Sequence, residues 1–162
     1  MLGPADAEAL DDLNLACAEF FEIVEGRPPA AGDGLNLLSD RPEGVSSENK
    51  LVIGLFESDR LVGAIDLLRN YPDHRCWYLG LMMFSPISRN RGLGALAFET
   101  LRWWISSQGG QSIRLIVQSQ NPRALEFWLR QGFAIVGTTI HQGDAKQNEV
   151  YQLEQALTPA QP

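Results

Sequence analysis

The sequence predicts an α/β (α+β) fold in which one mixed sheet is flanked by helices. Three features carry that expectation. Apolar residues near the start recur at helical spacing. Paired apolar runs joined by short polar turns stand on either side of the middle. Between those pairs, a strand-like run, a glycine loop and a helix lead into another strand. The chain has 162 residues, 44% of them hydrophobic and 20% charged, which suits one core and excludes disordered, collagen-like and disulfide-dense classes. A single domain is expected over residues 1–157, with a short tail at 158–162.

Leu10, Leu13, Cys17, Phe20 and Val24 recur at steps of three and four, which predicts one helix over about residues 5–25. Gly26, Arg27, Pro28 and Pro29 end it. A second, short helix is expected at about 34–40, before the turn-rich RPEGVSSEN. KLVIGLFES and RLVGAIDLL, parted by little more than Asp59, predict an antiparallel hairpin turning at 58–60. YPDHR interrupts the pattern. CWYLGLMMF then predicts a strand, and SPISRNRGLG turns it into a helix with Ala97, Leu101 and Trp104 on its apolar face. After Gln108, Gly109 and Gly110, SIRLIVQSQ predicts a further strand. Asn121 followed by Pro122 starts a helix, because proline is tolerated in a first turn, and Gly132 ends it. FAIVGTTI and NEVYQLEQAL predict a closing pair of strands joined by HQGDAKQ.

A formal net charge of −7 argues against nonspecific binding to nucleic acid, which needs lysine and arginine to neutralise phosphates. The arginines gather between 89 and 130 while acids dominate the first 25 positions, so a local positive site on an acidic chain is expected. Cys17 and Cys76 have no metal-ligand spacing and form no disulfide framework. MLGPADAEAL carries no basic segment followed by an apolar core, and no run reaches membrane-spanning length, so a cytoplasmic location without membrane contact is expected.

Arg89, Asn90, Arg91, Gly92, Leu93 and Gly94 form R-x-x-G-x-G between a predicted strand and a predicted helix. Glycines there let a backbone approach a ligand, while the first free amides of a helix and its dipole favour phosphate oxygens, so a pyrophosphate would fit. Two glycines before a helix serve equally as a structural turn, and the context must decide. The sequence lacks both the G-x-x-x-x-G-K-[ST] phosphate loop and the third glycine of a dinucleotide fingerprint. Sheets of this kind hold ligands at the carboxyl ends of their strands, here near 84–94 and 119–121.

Pro86 followed by R-x-x-G-x-G, then a strand, then N-P-R-A-L-E-F-W-L-R-Q-G-F from 121 to 133, resembles the core of the GNAT superfamily of N-acetyltransferases over about residues 50–155. The resemblance implies a GNAT-like, mostly antiparallel twisted sheet with a central strand-loop-helix site for acetyl-CoA as cosubstrate, and no metal. It implies that backbone amides from Arg89, Asn90, Arg91, Gly92, Leu93, Gly94 and Ala95 wrap the pyrophosphate. Backbone groups around Met82, Met83 and Phe84 would grip pantetheine and orient the thioester, and Asn121 would contact the pantetheine arm. The implied activity is transfer of acetyl to an amine of a small molecule or protein.

The chain departs from the family pattern in two places. Where the family often carries a tyrosine to protonate the departing thiolate, this sequence has Trp128, beside Phe127, and neither has a titratable hydroxyl. Water, another tyrosine, an indole hydrogen bond or unaided departure are the routes left, and a catalytically weak acyl-CoA-binding or sensing module is the alternative function. Tyr78, His74 and Asp66, with Asp73, are the candidates for acid–base work, His74 having the most suitable ordinary pKa. Each also reads as an ordinary hairpin, turn or strand residue. The acceptor pocket that the family implies lies against Phe20, Phe21, Glu22 and the turn at 71–75. The second departure is the opening strand, which is missing or very short before ADAEALDDL. One sheet edge is then exposed, and a homodimer is a hypothesis.

Overall fold

The predicted first helix forms in two pieces, α1 (Ala7–Ala16) and α2 (Ala18–Val24), in a computed structural model that describes residues 1–158. The apolar spacing is continuous across the break, so periodicity alone did not reveal it. At Cys17 the backbone leaves helical values (φ −110°, ψ 28°), and the buried thiol donates to the Phe84 carbonyl at 3.4 Å. A third helix, α3 (Asp33–Ser39), follows. Of the tail expected at 158–162, only Thr158 is among the described residues.

The first hairpin pairs β1 (Lys50–Glu57) with β2 (Arg60–Arg69), and Ser58 takes a left-handed turn conformation at φ 53°. Next come β3 (Cys76–Phe84), α4 (Leu93–Ser107), β4 (Ser112–Gln118) and α5 (Pro122–Arg130). The closing pair is β5 (Ala134–Gln142) and β6 (Gln147–Ala156). Its strands run further than hydropathy indicated, leaving a turn of only 143–146. Most of β5 is exposed, which is why polar residues such as His141 and Gln142 sit comfortably in it.

The six strands form one sheet in the order β1-β2-β3-β4-β6-β5, with every neighbouring pair antiparallel except β3 and β4. A parallel pair needs a crossover, and α4 supplies it. Helices α4 and α5 cover one face of the sheet over the larger core, where Phe98 and Ile105 lie deeper than the predicted Ala97 and Trp104. Helices α1 and α3 cover the other face, α1 through Leu10 and Leu13 with Cys17 after it, and α3 through Leu37 and Leu38. In place of an opening strand there is a 3₁₀ turn at Pro4–Asp6 and one ladder-like bond, from Leu2 N–H to the Val52 carbonyl at 2.8 Å.

One irregularity controls the middle of the sheet. Asp66 lies opposite Leu81 but Leu67 lies opposite Leu79, so Gly80 is an extra residue in β3. The bulge reverses which face each parity of β3 meets. Trp77 and Leu79 pack under α4 and α5, and after the bulge it is Met82 that does so, while Leu81 and Met83 turn to the α1 side. β3 pairs with β4 only through Cys76, Trp77 and Tyr78, and beyond that the two strands separate.

A polar clamp ties the closing hairpin to the helical layer. Arg27, just after α2, binds Asp33 of α3 at 2.8 Å and Asp144 of the β5–β6 turn at 2.7 Å. The Arg27 guanidinium holds the Asp33 carboxyl below its ordinary range. Stability from a depressed carboxylate is present above the unfolded value, near 4, and is lost as pH falls through the folded one. Asp33→Asn should therefore cost about 1–3 kcal/mol at pH 7, and the gap from wild type should narrow in denaturant unfolding repeated at pH values falling below about 4. Phe98→Ala, which removes a ring only 1% exposed beneath α4, should cost about 3–5 kcal/mol in the same measurement.

Candidate functional site

Where β3 and β4 part, a groove of about 650 Å³ opens, a size suited to a small-molecule site. Met82, Met83 and Phe84 border it from β3. Ser88, Arg89, Asn90, Gly92, Gly94 and Ala95 border it from the β3–α4 connection. From α5 come Asn121, Ala124, Phe127 and Trp128, and from α2 come Glu19, Phe20 and Ile23. Of the residues expected to hold a cofactor, Arg91 and Leu93 do not line the groove by their side chains.

The start of α4 explains the glycines. Gly92 has a left-handed backbone (φ 77°) with no atom within 4 Å of an added Cβ, so its backbone conformation, not crowding, selects glycine. A Cβ on Gly94 would lie 3.6 Å from Phe127, in ordinary contact, so the position tolerates a side chain but that side chain would enter the groove. The first bond of the helical ladder runs from Leu96 N–H to the Gly92 carbonyl. The amides of Leu93, Gly94 and Ala95 precede it, and no side chain caps the helix. Three donors and the positive end of a fifteen-residue helix are thus gathered at one end of the groove. Beside them Ser88, 1% exposed, keeps a hydroxyl without a protein partner.

The arginines divide differently from what the sequence indicated. Arg89 turns inward: its Nε donates to the Phe84 carbonyl at 2.8 Å and its Nη1 lies 3.6 Å from Glu19. Arg91 pairs with Glu57 at 2.6 Å. The guanidinium groups that line the groove from the helical side belong to Arg123, which donates to the Asn90 side chain, and Arg130, paired with Glu126. Neither is among the cofactor-binding residues that the sequence points to. The available signal was position, since Arg123 directly follows the Asn-Pro helix start.

Asn121 caps α5 by accepting the Ala124 N–H at 3.1 Å, which fixes its side chain at the groove wall. Trp128 is 8% exposed and packs edge-on against Phe98, Phe127 and Phe133, with part of its surface reaching the groove. Cys17 lies behind Arg89, and burial pushes its thiol up, which keeps it protonated.

Tyr78, His74 and Asp66 do not border the groove. Tyr78 stands six residues before Phe84, roughly 20 Å along an extended strand. It packs edge-on against Tyr71, and burial, then its neighbours Tyr71 and Asp66, push its phenol up to about 12. His74 is exposed in the β2–β3 turn, where Asp73 is held by Arg114 at 3.0 Å. Asp66 is buried against Lys50, and burial pushes its carboxyl up. Tyr78 and His74 lie at the end of β3 where it still pairs with β4, whereas Asp66 on β2 stands opposite Leu81 beside Gly80, next to the groove but with its carboxylate turned to Lys50. Among the described residues, no three His, Cys, Asp or Glu side chains cluster as metal ligands would.

The chain resembles an acetyltransferase from Thermus thermophilus at 24% identity and a TM-score of 0.76, covering 96% of this chain and 94% of that one. It also resembles a spermidine N-acetyltransferase from Vibrio cholerae, solved with CoA and spermine, at 16% identity and a TM-score of 0.75, over 98% and 94% of the two chains. A third likeness is to the ribosomal-protein-S18-alanine N-acetyltransferase of Escherichia coli, at 14% identity and a TM-score of 0.70, over 99% and 93%. At these identities the likeness is one of fold. No curated protein matches the sequence. The model of the acetyltransferase (GNAT) family matches residues 13–133, a span that includes the whole groove-forming section from β3 through α5. The chain therefore belongs to the acetyltransferase (GNAT) family.

Proposed function

We propose that this protein is an acetyl-CoA-dependent N-acetyltransferase acting on an amine of a small molecule or a protein. The observation that carries the reading is the parting of β3 and β4, with three uncapped helix amides at one end of the opening and unpaired strand backbone along it. The residues present suit acetyl-CoA. Leu93, Gly94 and Ala95 offer amides to a pyrophosphate, the orphaned Ser88 hydroxyl adds a donor, and Arg123 and Arg130 add positive charge. Met82, Met83 and Phe84 present backbone groups free of β4 to the pantetheine amides, and Asn121 faces them from α5.

Bound there, acetyl-CoA supplies an activated acyl group as a thioester. The chain's own part is to hold that group still, exclude water with Phe127 and Trp128, and leave the α2 end open to an acceptor. Glu19, 80% exposed at that end, gives the entrance a negative charge that favours a cationic amine. None of the three tyrosines borders the groove, so the proton for a departing thiolate comes from water.

The absent hydroxyl at Trp128 favours a second reading, a catalytically weak acyl-CoA-binding or sensing module. A cytoplasmic location, a single domain over 1–157 and a homodimer belong to the proposal as well. The sheet has two edge strands: β1, where the opening strand is missing and one bond from Leu2 N–H reaches Val52, and β5, which carries no Asp, Glu, Lys or Arg and exposes Ile135, Val136 and Ile140. Light scattering showing only monomer at working concentration would remove the dimer.

Acceptor-dependent release of CoA thiol across a panel of amines separates the two functions. The enzyme reading expects release well above hydrolysis with at least one amine, whereas binding without release leaves the sensing module. Gly94→Val should weaken CoA at least tenfold by calorimetry while leaving the unfolding temperature within a few degrees, because the new side chain enters the groove and not the core. Trp128→Tyr should raise kcat several-fold near neutral pH with little change in KM, as expected for a restored proton donor. An unchanged kcat in a folded variant would show that thiol protonation does not limit the rate.

A further inference from the structure

Lys50 and Asp66 form a buried ion pair that neither the groove nor any acid–base role accounts for. Their charged atoms lie 2.7 Å apart, and the side chains are 5% and 13% exposed. Withdrawing two charges from water is costly, and apolar residues of similar volume would join β1 to β2 at least as well. Three observations supply a reason for the carboxylate. Its Oδ2 stands 2.7 Å from where a Cβ on Gly80 would be, so it fills the space beside the bulge and would have to move for any side chain there. The register slips between Asp66 and Leu67 on β2, across from Gly80 on β3. The other carboxylate oxygen, Oδ1, lies 2.7 Å from Lys50 Nζ of β1, which anchors the side chain from the far side of β2.

We propose that Asp66, anchored by Lys50, is a positioning residue for the acyl-donor groove: it holds Gly80 out of the ladder and so fixes the bulge that aims Met82, Met83 and Phe84. Without that bulge the parity of β3 would run on unbroken. Leu81 and Met83 would turn toward α4 and α5, Met82 would turn away, and the backbone edge that borders the groove would shift by one residue. The consequence for ligand rests on the donor reading of the groove, whereas the geometry does not.

The test replaces the pair with apolar side chains of similar length, Lys50→Met together with Asp66→Leu, an exchange that buried ion pairs commonly survive. Amide hydrogen exchange along β3, followed by NMR without ligand, and CoA affinity, measured by calorimetry, are compared with wild type. Thermal unfolding checks that both proteins fold. The expected result is cooperative unfolding, a one-residue shift in the alternation of protected amides from Leu81 onward, and CoA binding at least tenfold weaker. A folded double variant with wild-type alternation overturns the proposal whatever its affinity. If the alternation shifts but wild-type protein does not bind CoA, the role of Asp66 in the bulge stands and the donor reading of the groove falls. Gly80→Ala leaves both charges in place and serves if the double variant does not fold. Its Cβ must displace the carboxylate, so the same tenfold loss is expected, and unchanged affinity with unchanged exchange overturns the proposal.

Discussion

Two parallel strands must either pair along their length or part, and here β3 and β4 part after three residue pairs. The rest of the site depends on that limit. Unpaired backbone in a protein interior is costly, so strands separate only where something else can satisfy their amides and carbonyls. In this chain the separation yields a lined groove bordered by β3 on one side and α5 on the other. The bulge at Gly80 stands two residues beyond the last β3–β4 pair and resets the faces of the segment that follows.

The groove draws its electrostatic character from backbone more than from side chains. The chain is acidic overall, and two of its most suggestively placed cations, Arg89 and Arg91, are committed to Phe84, Glu19 and Glu57. What remains fixed at the β3–α4 end is the uncapped start of α4, whose amides are already oriented by the helix. Arg89 acts on that end indirectly. By donating to the last carbonyl of β3 it closes the turn through which the strand enters the helix.

The order and type of the elements were readable, because each strand and helix carried its own period and its own breaker. The Asn-Pro start of α5, the glycines before α4 and the tight turn of the first hairpin are local signals, set by backbone conformations that few residues adopt. The break at Cys17 was not readable. At the break the Cys17 thiol donates to the Phe84 carbonyl, 67 residues away, and the heptad-like spacing runs through it undisturbed. Tyr78, His74 and Asp66 were drawn toward the site for the opposite reason. Tyr78 and His74 sit near the start of β3, and a strand extends about 3.3 Å per residue and carries its two ends to different places, whereas Asp66 stands beside the bulge but is committed to Lys50.

The sequence by itself determined the fold class, the strand-loop-helix section that borders the groove and the absence of a hydroxyl at Trp128, since each is written in local pattern or residue type. Only the tertiary structure decided which arginines face the groove, which residues stand away from it, and where β3 leaves its neighbour. Those outcomes turn on contacts between distant segments, such as Asp66 with Gly80, Arg89 with Phe84 and Arg27 with Asp144. No period or spacing along a chain encodes such contacts, because they exist only once the sheet has brought the segments together.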